Sequence, residues 1–122
     1  MKLTKNSQSR TLAELKLDSY ESARSELAVA SLFLSANNTH TNKVVNFISA
    51  AMAVCEACAK SKKPESSLDV LMWLRRKLKQ EARLNKHNEM YRLFCLREAE
   101  QIEHKIAVAF EIQSKGMLSI LK

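Results

Sequence analysis

Apolar positions recur along this chain at intervals of three and four residues, the period of an α-helix that buries one face. In the first run Tyr20, Ala23, Leu27, Ala30 and Leu34 share a stripe, which predicts a helix from about Thr11 to Ala36 with Ser9 or Thr11 as its N-cap. Asn37-Asn38-Thr39-His40-Thr41 follows, and these side chains compete with helical backbone bonds and favour loops and caps. A second helix is expected from Lys43 to Ser61, capped by Thr41 or Asn42, with Val44, Ile48, Ala51, Cys55 and Cys58 inward. Lys62-Lys63-Pro64-Glu65 breaks the pattern at the only proline. Ser66 is the expected cap of a third helix, with Asp69 favouring its positive end and Leu71, Leu74, Leu78 and Ala82 on its buried side.

The fourth run starts at Asn88 as cap and reaches Lys115, ~42 Å at 1.5 Å per residue, where Gly116 is placed to end it in a left-handed cap. Its stripe reads Tyr91, Phe94 or Cys95, Glu98, Ile102, Ile106, Ala109 or Phe110, and Gln113, apolar except at Glu98 and the end. Asn85-Lys86-His87-Asn88 lacks a strong breaker, so a third and fourth helix continuous through His87 is the alternative. Long amphipathic helices joined by short loops force antiparallel neighbours. The expected fold is all-α, an antiparallel up-and-down four-helix bundle with long helices one and four, over a single domain 1–122. Residues 1–10 read as a flexible N-terminus. Residues 117–122 form an apolar tail that seeks cover on the bundle or on a second copy, which makes a homodimer the expected state.

Composition sharpens this picture at three points. One Gly and one Pro leave no supply of the turns that sheets and hairpins require, and exclude Gly-rich phosphate loops. The apolar run Leu27–Ala36 is too short to span a bilayer and lies behind Asp18, Glu21 and Glu26, so neither a membrane segment nor an export signal is expected. Three cysteines, an odd number, argue against a disulfide framework and for a cytoplasmic setting.

Charge changes the picture most. The formal net charge is +7, and 60–86 alone carries nine basic against three acidic residues, a local +6, while 1–59 and 87–122 come to +1 and 0. Charge concentrated in this way forms a patch and suggests an anionic partner. Lys60 borders the loop before the third helix. Lys62, Lys63, Trp73, Arg75, Arg76, Lys77, Lys79, Arg83 and Lys86 are the candidate binding residues, the cations for phosphates or carboxylates and Trp73 for base stacking or a protein contact. Nucleic acid, DNA or RNA, is the leading partner and an acidic protein surface the next. A membrane surface fits poorly, because the apolar residues of this helix are needed for the core. A helix-turn-helix also fits poorly, since its connector is a tight turn between short helices; a basic helix of this kind is expected to lie along the backbone and not to read bases.

Other candidate chemistry is thinner. Cys55-Glu56-Ala57-Cys58 puts two thiols on one helical face, but a structural zinc needs four ligands, and Cys95 and His104 would have to complete the set from another helix. Both cysteines lie on the apolar stripe, where a thiol behaves as a small hydrophobe. His104 has Gln101 three residues before it, so the Glu-x-x-His of di-iron bundles is absent there. Arg97 and His104, two turns apart, could serve a ribonuclease as phosphate-steadying and acid–base groups. Their Arg-x6-His spacing is similar to the loose Arg-x4–6-His pattern of the helical HEPN ribonucleases, a likeness of two residues with Glu98 where a polar residue often follows the Arg. No cofactor, metal or small-molecule substrate is inferred. The expected function is a small non-catalytic binding module whose basic third helix contacts nucleic acid. The rivals are an adaptor or inhibitor that binds an acidic protein or forms a helical homo-oligomer, and third a weak ribonuclease.

Overall fold

The computed structural model describes residues 12–61 and 64–121, with side chains described for 19–61 and 66–115. Four helices follow one another: α1 Leu12–Leu34, α2 Thr41–Lys60, α3 Pro64–Leu84 and α4 Glu89–Leu121. Each packs on the next in an up-and-down four-helix bundle, with a narrower contact between α2 and α4. Among the described residues α1 and α4 do not touch. The packing is therefore sequential, and α2 and α3 each have a neighbour on either side.

The 3–4 periodicity reappears as the core. Ala23, Ala30 and Leu34 of α1 are buried, with Tyr20 and Leu27 packed at the edge. Leu71, Leu74, Leu78 and Ala82 of α3 are all buried, each Leu contributing about 1.5–3 kcal/mol by leaving water. In α2 the expected Val44, Ala51, Cys55 and Cys58 are buried, and so are Phe47, Val54 and Ala57. A single stripe is too narrow for a helix with two neighbours, so α2 buries a wide arc. In α4 the inward positions are Tyr91, Cys95, Ala99 and Ile102. Ala99 takes the place that the spacing gave to Glu98, which removes the one polar break in the stripe. Phe94, Ile106 and Ala109 pack against the same core from its margin.

The helix ends differ from expectation more than the helices do. α2 begins at Thr41, so neither Thr41 nor Asn42 is its cap: His40 holds that position with extended backbone and no side-chain cap bond. The loop is shaped instead by Asn38, whose Oδ1 accepts the His40 N–H at 3.1 Å. α3 begins at Pro64, not after Ser66; proline suits a first helical position because the N–H it lacks would find no intrahelical partner there. α3 and α4 are separate helices. Asn88 caps α4 as expected, its Oδ1 accepting the Tyr91 N–H at 3.1 Å.

Gly116 does not end α4. The helix runs through it to Leu121, so the stretch expected as a tail is helical at 117–121. At 33 residues against 21 in α3, α4 is ~50 Å long against ~32 Å, and it outruns the helix it packs on. The expected flexible N-terminus, 1–10, and Lys122 lie outside the described residues. None of the described helices is long and apolar enough to cross a membrane.

Candidate functional site

α3 buries its Leu stripe against α2 and α4, which leaves its cations on the remaining arc. Alongside α4 that arc walls an open groove of about 960 Å³, lined by Trp73, Arg76, Lys77, Lys79, Gln80, Ala82 and Arg83 from α3, by Lys86 from the loop that follows it, and by Arg92 and Leu96 from α4. Six of these ten residues are cationic and none is acidic. Arg76, Lys79, Arg83 and Lys86 are exposed, and Lys77 is half-buried.

Not all of this charge is available. Lys79 Nζ lies 2.8 Å from Glu103 Oε1. The Lys79 hydrogen bond and charge, with a further contribution from Arg75, hold the Glu103 carboxyl below the usual carboxylate range. Arg92 is 2.7 Å from Glu89 on its own helix. Among the described residues Arg76, Lys77, Arg83 and Lys86 make no ion pair. Four like charges along α3 and the start of the loop after it repel one another when no anion lies between them.

Trp73 is half-buried at one end of the groove. Its ring packs on Phe47 with centroids 5.4 Å apart and planes at 53°, and Lys77 Nζ stands 5.9 Å from its centroid. It is thus a core-edge residue that also lines the groove.

Of the sequence candidates, Trp73, Arg76, Lys77, Lys79, Arg83 and Lys86 come together in the groove. Arg75 is not among the lining residues and belongs to the Glu103 side of α3. Lys62 and Lys63 lie outside the described residues. Arg92 and Leu96 were missed, because counting charge along sequence segments cannot show which residue of an antiparallel neighbour comes alongside.

The other candidates separate. Arg97 and His104 are both exposed and share a shallow depression with Glu100, Gln101 and Lys105. Cys55, Cys58 and Cys95 are buried. Burial foremost, then the neighbouring Cys58, pushes the Cys55 thiol up to about 11; burial and the Glu81 carboxylate do the same for Cys95. A reactive thiolate needs the opposite shift. Among the described residues no three His, Cys, Asp or Glu side chains are grouped so as to hold a metal ion.

Sequence reasoning also missed a buried ionic cluster where both end loops meet. Lys43 and Glu81 are each 8 % exposed, and Lys43 Nζ lies 3.3 Å from Glu81 Oε1. Lys43 also donates to the carbonyls of Ala36 and Asn38 at 2.7 and 2.6 Å. The same Glu81 oxygen accepts from the Tyr91 hydroxyl at 2.7 Å and from Asn85 Nδ2 at 3.3 Å. Asn88 Nδ2 donates to Thr39 Oγ1 at 3.1 Å and ties the two loops directly. Among the described residues no buried side-chain polar atom lacks a partner. No family model, characterised protein or solved structure matches this chain.

Proposed function

We propose that this chain is a small non-catalytic binding module whose α3–α4 groove contacts the phosphate backbone of nucleic acid. The observation that carries the reading is the groove itself: six cations and no acid line it, and four of the six have no ion-pair partner among the described residues. The purely helical architecture and the lack of a metal-ligating group among the described residues suit a helical binding module in general. Phosphate contacts of this kind make affinity fall steeply with salt and depend little on sequence. The cytoplasmic setting expected from the cysteine count belongs to the same reading.

The test is binding of labelled duplex and unpaired DNA and RNA of random sequence across a salt series, comparing the native chain with Arg76→Glu/Arg83→Glu/Lys86→Glu. Micromolar or tighter binding that weakens with salt and is lost in the variant is expected. No binding at low salt would end the nucleic-acid reading and move the groove to an acidic protein partner.

A second reading, self-association, is favoured by the free end of α4. Val108, Phe110 and Ile112 are exposed there, Phe110 and Ile112 lying past Ala109, the last residue that packs on the core, and Met117-Leu118-Ser119-Ile120-Leu121 continues the helix. A second copy can cover such a surface with the same apolar residues. Glu111 and Lys115 pair with each other at 3.3 Å, one turn apart on α4; in an antiparallel pair of α4 helices centred on Gln113 these charges exchange partners, Glu111 facing Lys115 of the partner subunit, twice by symmetry. Sedimentation should show a dimer that Phe110→Glu/Ile112→Glu converts to a folded monomer. A native chain that stays monomeric at high micromolar concentration would overturn this reading.

A further inference from the structure

We infer that the α3–α4 groove is built for an unpaired nucleic-acid strand and not for a duplex; this rests on the nucleic-acid reading above. The groove is more than a row of charges. Between its cations the floor is apolar at the half-buried Trp73 and Leu96, with Ala82 buried behind them. A duplex keeps its base faces inside the stack and presents phosphates, so it would meet the cationic rim and leave that floor in water. An unpaired strand offers both phosphates for the rim and base faces for the floor, the combination that single-strand binders use.

The placement of Trp73 supports this. Phe47 backs its ring from the core, and Lys77 stands over the ring without a carboxylate partner of its own. Lys77 can therefore move to a phosphate and expose the aromatic face to a base without breaking an ion pair. The length also suits a strand. From Trp73 to its end at Leu84 α3 runs ~17 Å, the length of about five bases stacked at 3.4 Å, and Lys86 follows in the loop. Arg83, Lys86 and Arg92 lie toward the far end, where they would hold the backbone of the bases leading away from Trp73.

Trp73 is the only tryptophan in the sequence, so emission reports on its surroundings: this groove, and the depression toward α1 that it lines with Tyr20, Leu27 and Val70. The experiment titrates the full chain with oligo-dT, with oligo-U and with a mixed-sequence DNA duplex, matched in phosphate number and at one salt concentration. Binding is read by anisotropy of the labelled nucleic acid and by Trp73 emission. Expected is at least tenfold tighter binding of the single strands with quenching of Trp73; the oligo-dT and oligo-U arms show whether DNA, RNA or both are taken. Trp73→Leu, which keeps an apolar side chain against Phe47, should weaken single-strand binding about tenfold and leave duplex binding unchanged. Circular dichroism checks that this variant folds. If it does not, Leu96→Gln at the groove wall should weaken single-strand binding selectively.

Equal affinity for single strand and duplex would overturn the inference and leave the nucleic-acid reading standing. Single-strand preference with unchanged Trp73 emission would overturn it as well, since the strand would then lie elsewhere. Failure of every nucleic acid to bind would remove both.

Discussion

Glu81 and Arg83 are two residues apart on α3, yet they belong to opposite kinds of charged region. Glu81 is buried and accepts from Lys43, Tyr91 and Asn85, while Lys43 spends its remaining donors on two loop carbonyls. Arg83 is exposed in a groove with Arg76, Lys77 and Lys86, none of which makes an ion pair among the described residues. In the first region each charge is answered within the chain and holds the two end loops together. In the second, charge is left without an internal answer, which is what an external anion requires. Substitutions in the two regions should therefore separate stability from binding.

The largest effect is expected at the buried cluster. Lys43→Met leaves the Glu81 carboxylate buried without its counter-charge and removes the donor that holds the Ala36 and Asn38 carbonyls. Breaking a buried pair by removing one partner costs about 3–5 kcal/mol, which urea denaturation would register as a large fall in the midpoint. Lys43→Met/Glu81→Leu/Tyr91→Phe should recover much of that loss, because no buried charge then lacks a partner. A cost no greater than that of a surface substitution would show that the cluster does not hold this end together.

A smaller loss is expected from Tyr91→Phe, which removes one hydrogen bond to a charged acceptor, about 1.5–3 kcal/mol. The same residue makes stability depend on alkaline pH. Burial first, then the bond and charge of Glu81, raise the Tyr91 pKa above that of an ordinary phenol, and the Cys95 thiol rises from 9.0 to about 11. Both groups keep their protons longer in the folded chain than in the unfolded one. Their contribution is therefore complete below about pH 9 and declines as the pH rises, first as unfolded thiols ionise and then as unfolded phenols do. A pH series of urea midpoints should fall above pH 9, and less steeply in Tyr91→Phe/Cys95→Ala. A flat profile to pH 11 would contradict the burial of these groups.

The contrast between the regions also explains what the sequence made legible. Tyr20 to Leu34, Leu71 to Leu78, and Tyr91 with Ile102 could be placed inside from spacing alone, because a helix with one apolar face repeats it every three or four residues. In α2 the spacing allowed two stripes: the expected one ran through Ile48, which is only partly buried, whereas Val44, Phe47, Ala51, Val54 and Cys58 repeat at the same intervals and are all buried. The basic groove was largely visible, because its cations crowd one helix; Arg92 joins from α4 and needed the helix pairing to be known. The Lys43–Glu81 pair was invisible. A lysine near the start of one helix and a glutamate near the end of another look like surface residues until the fold brings the two loops to one end. Gly116 misled for a related reason: its freedom to adopt a left-handed cap permits a helix to stop there but does not require it.

Charge reversal in the groove should affect stability far less than any change in the cluster. Arg76→Glu/Arg83→Glu/Lys86→Glu alters exposed side chains without ion-pair partners, so each position should shift stability by no more than about 0.5 kcal/mol. The same variant should lose nucleic-acid binding. If its urea midpoint instead fell as far as that of Lys43→Met, the loss of binding would reflect unfolding, and the two regions would not be independent.

The smallest change sharpens the comparison at its boundary. Lys79 lines the groove but is held 2.8 Å from Glu103, and Arg75 also acts on that carboxylate. An exposed pair of this kind contributes little to stability and weakens with salt, so Glu103→Gln should leave the urea midpoint almost unchanged. It should, however, free Lys79 for the groove. Nucleic-acid affinity at low salt is then expected to rise a few-fold, and the slope of log K against log salt to steepen by about 0.9 for one added phosphate contact on duplex or about 0.7 on a single strand. An unchanged slope would mean that Lys79 stays out of the contact even when released, and would confine the binding surface to Arg76, Lys77, Arg83, Lys86 and Arg92.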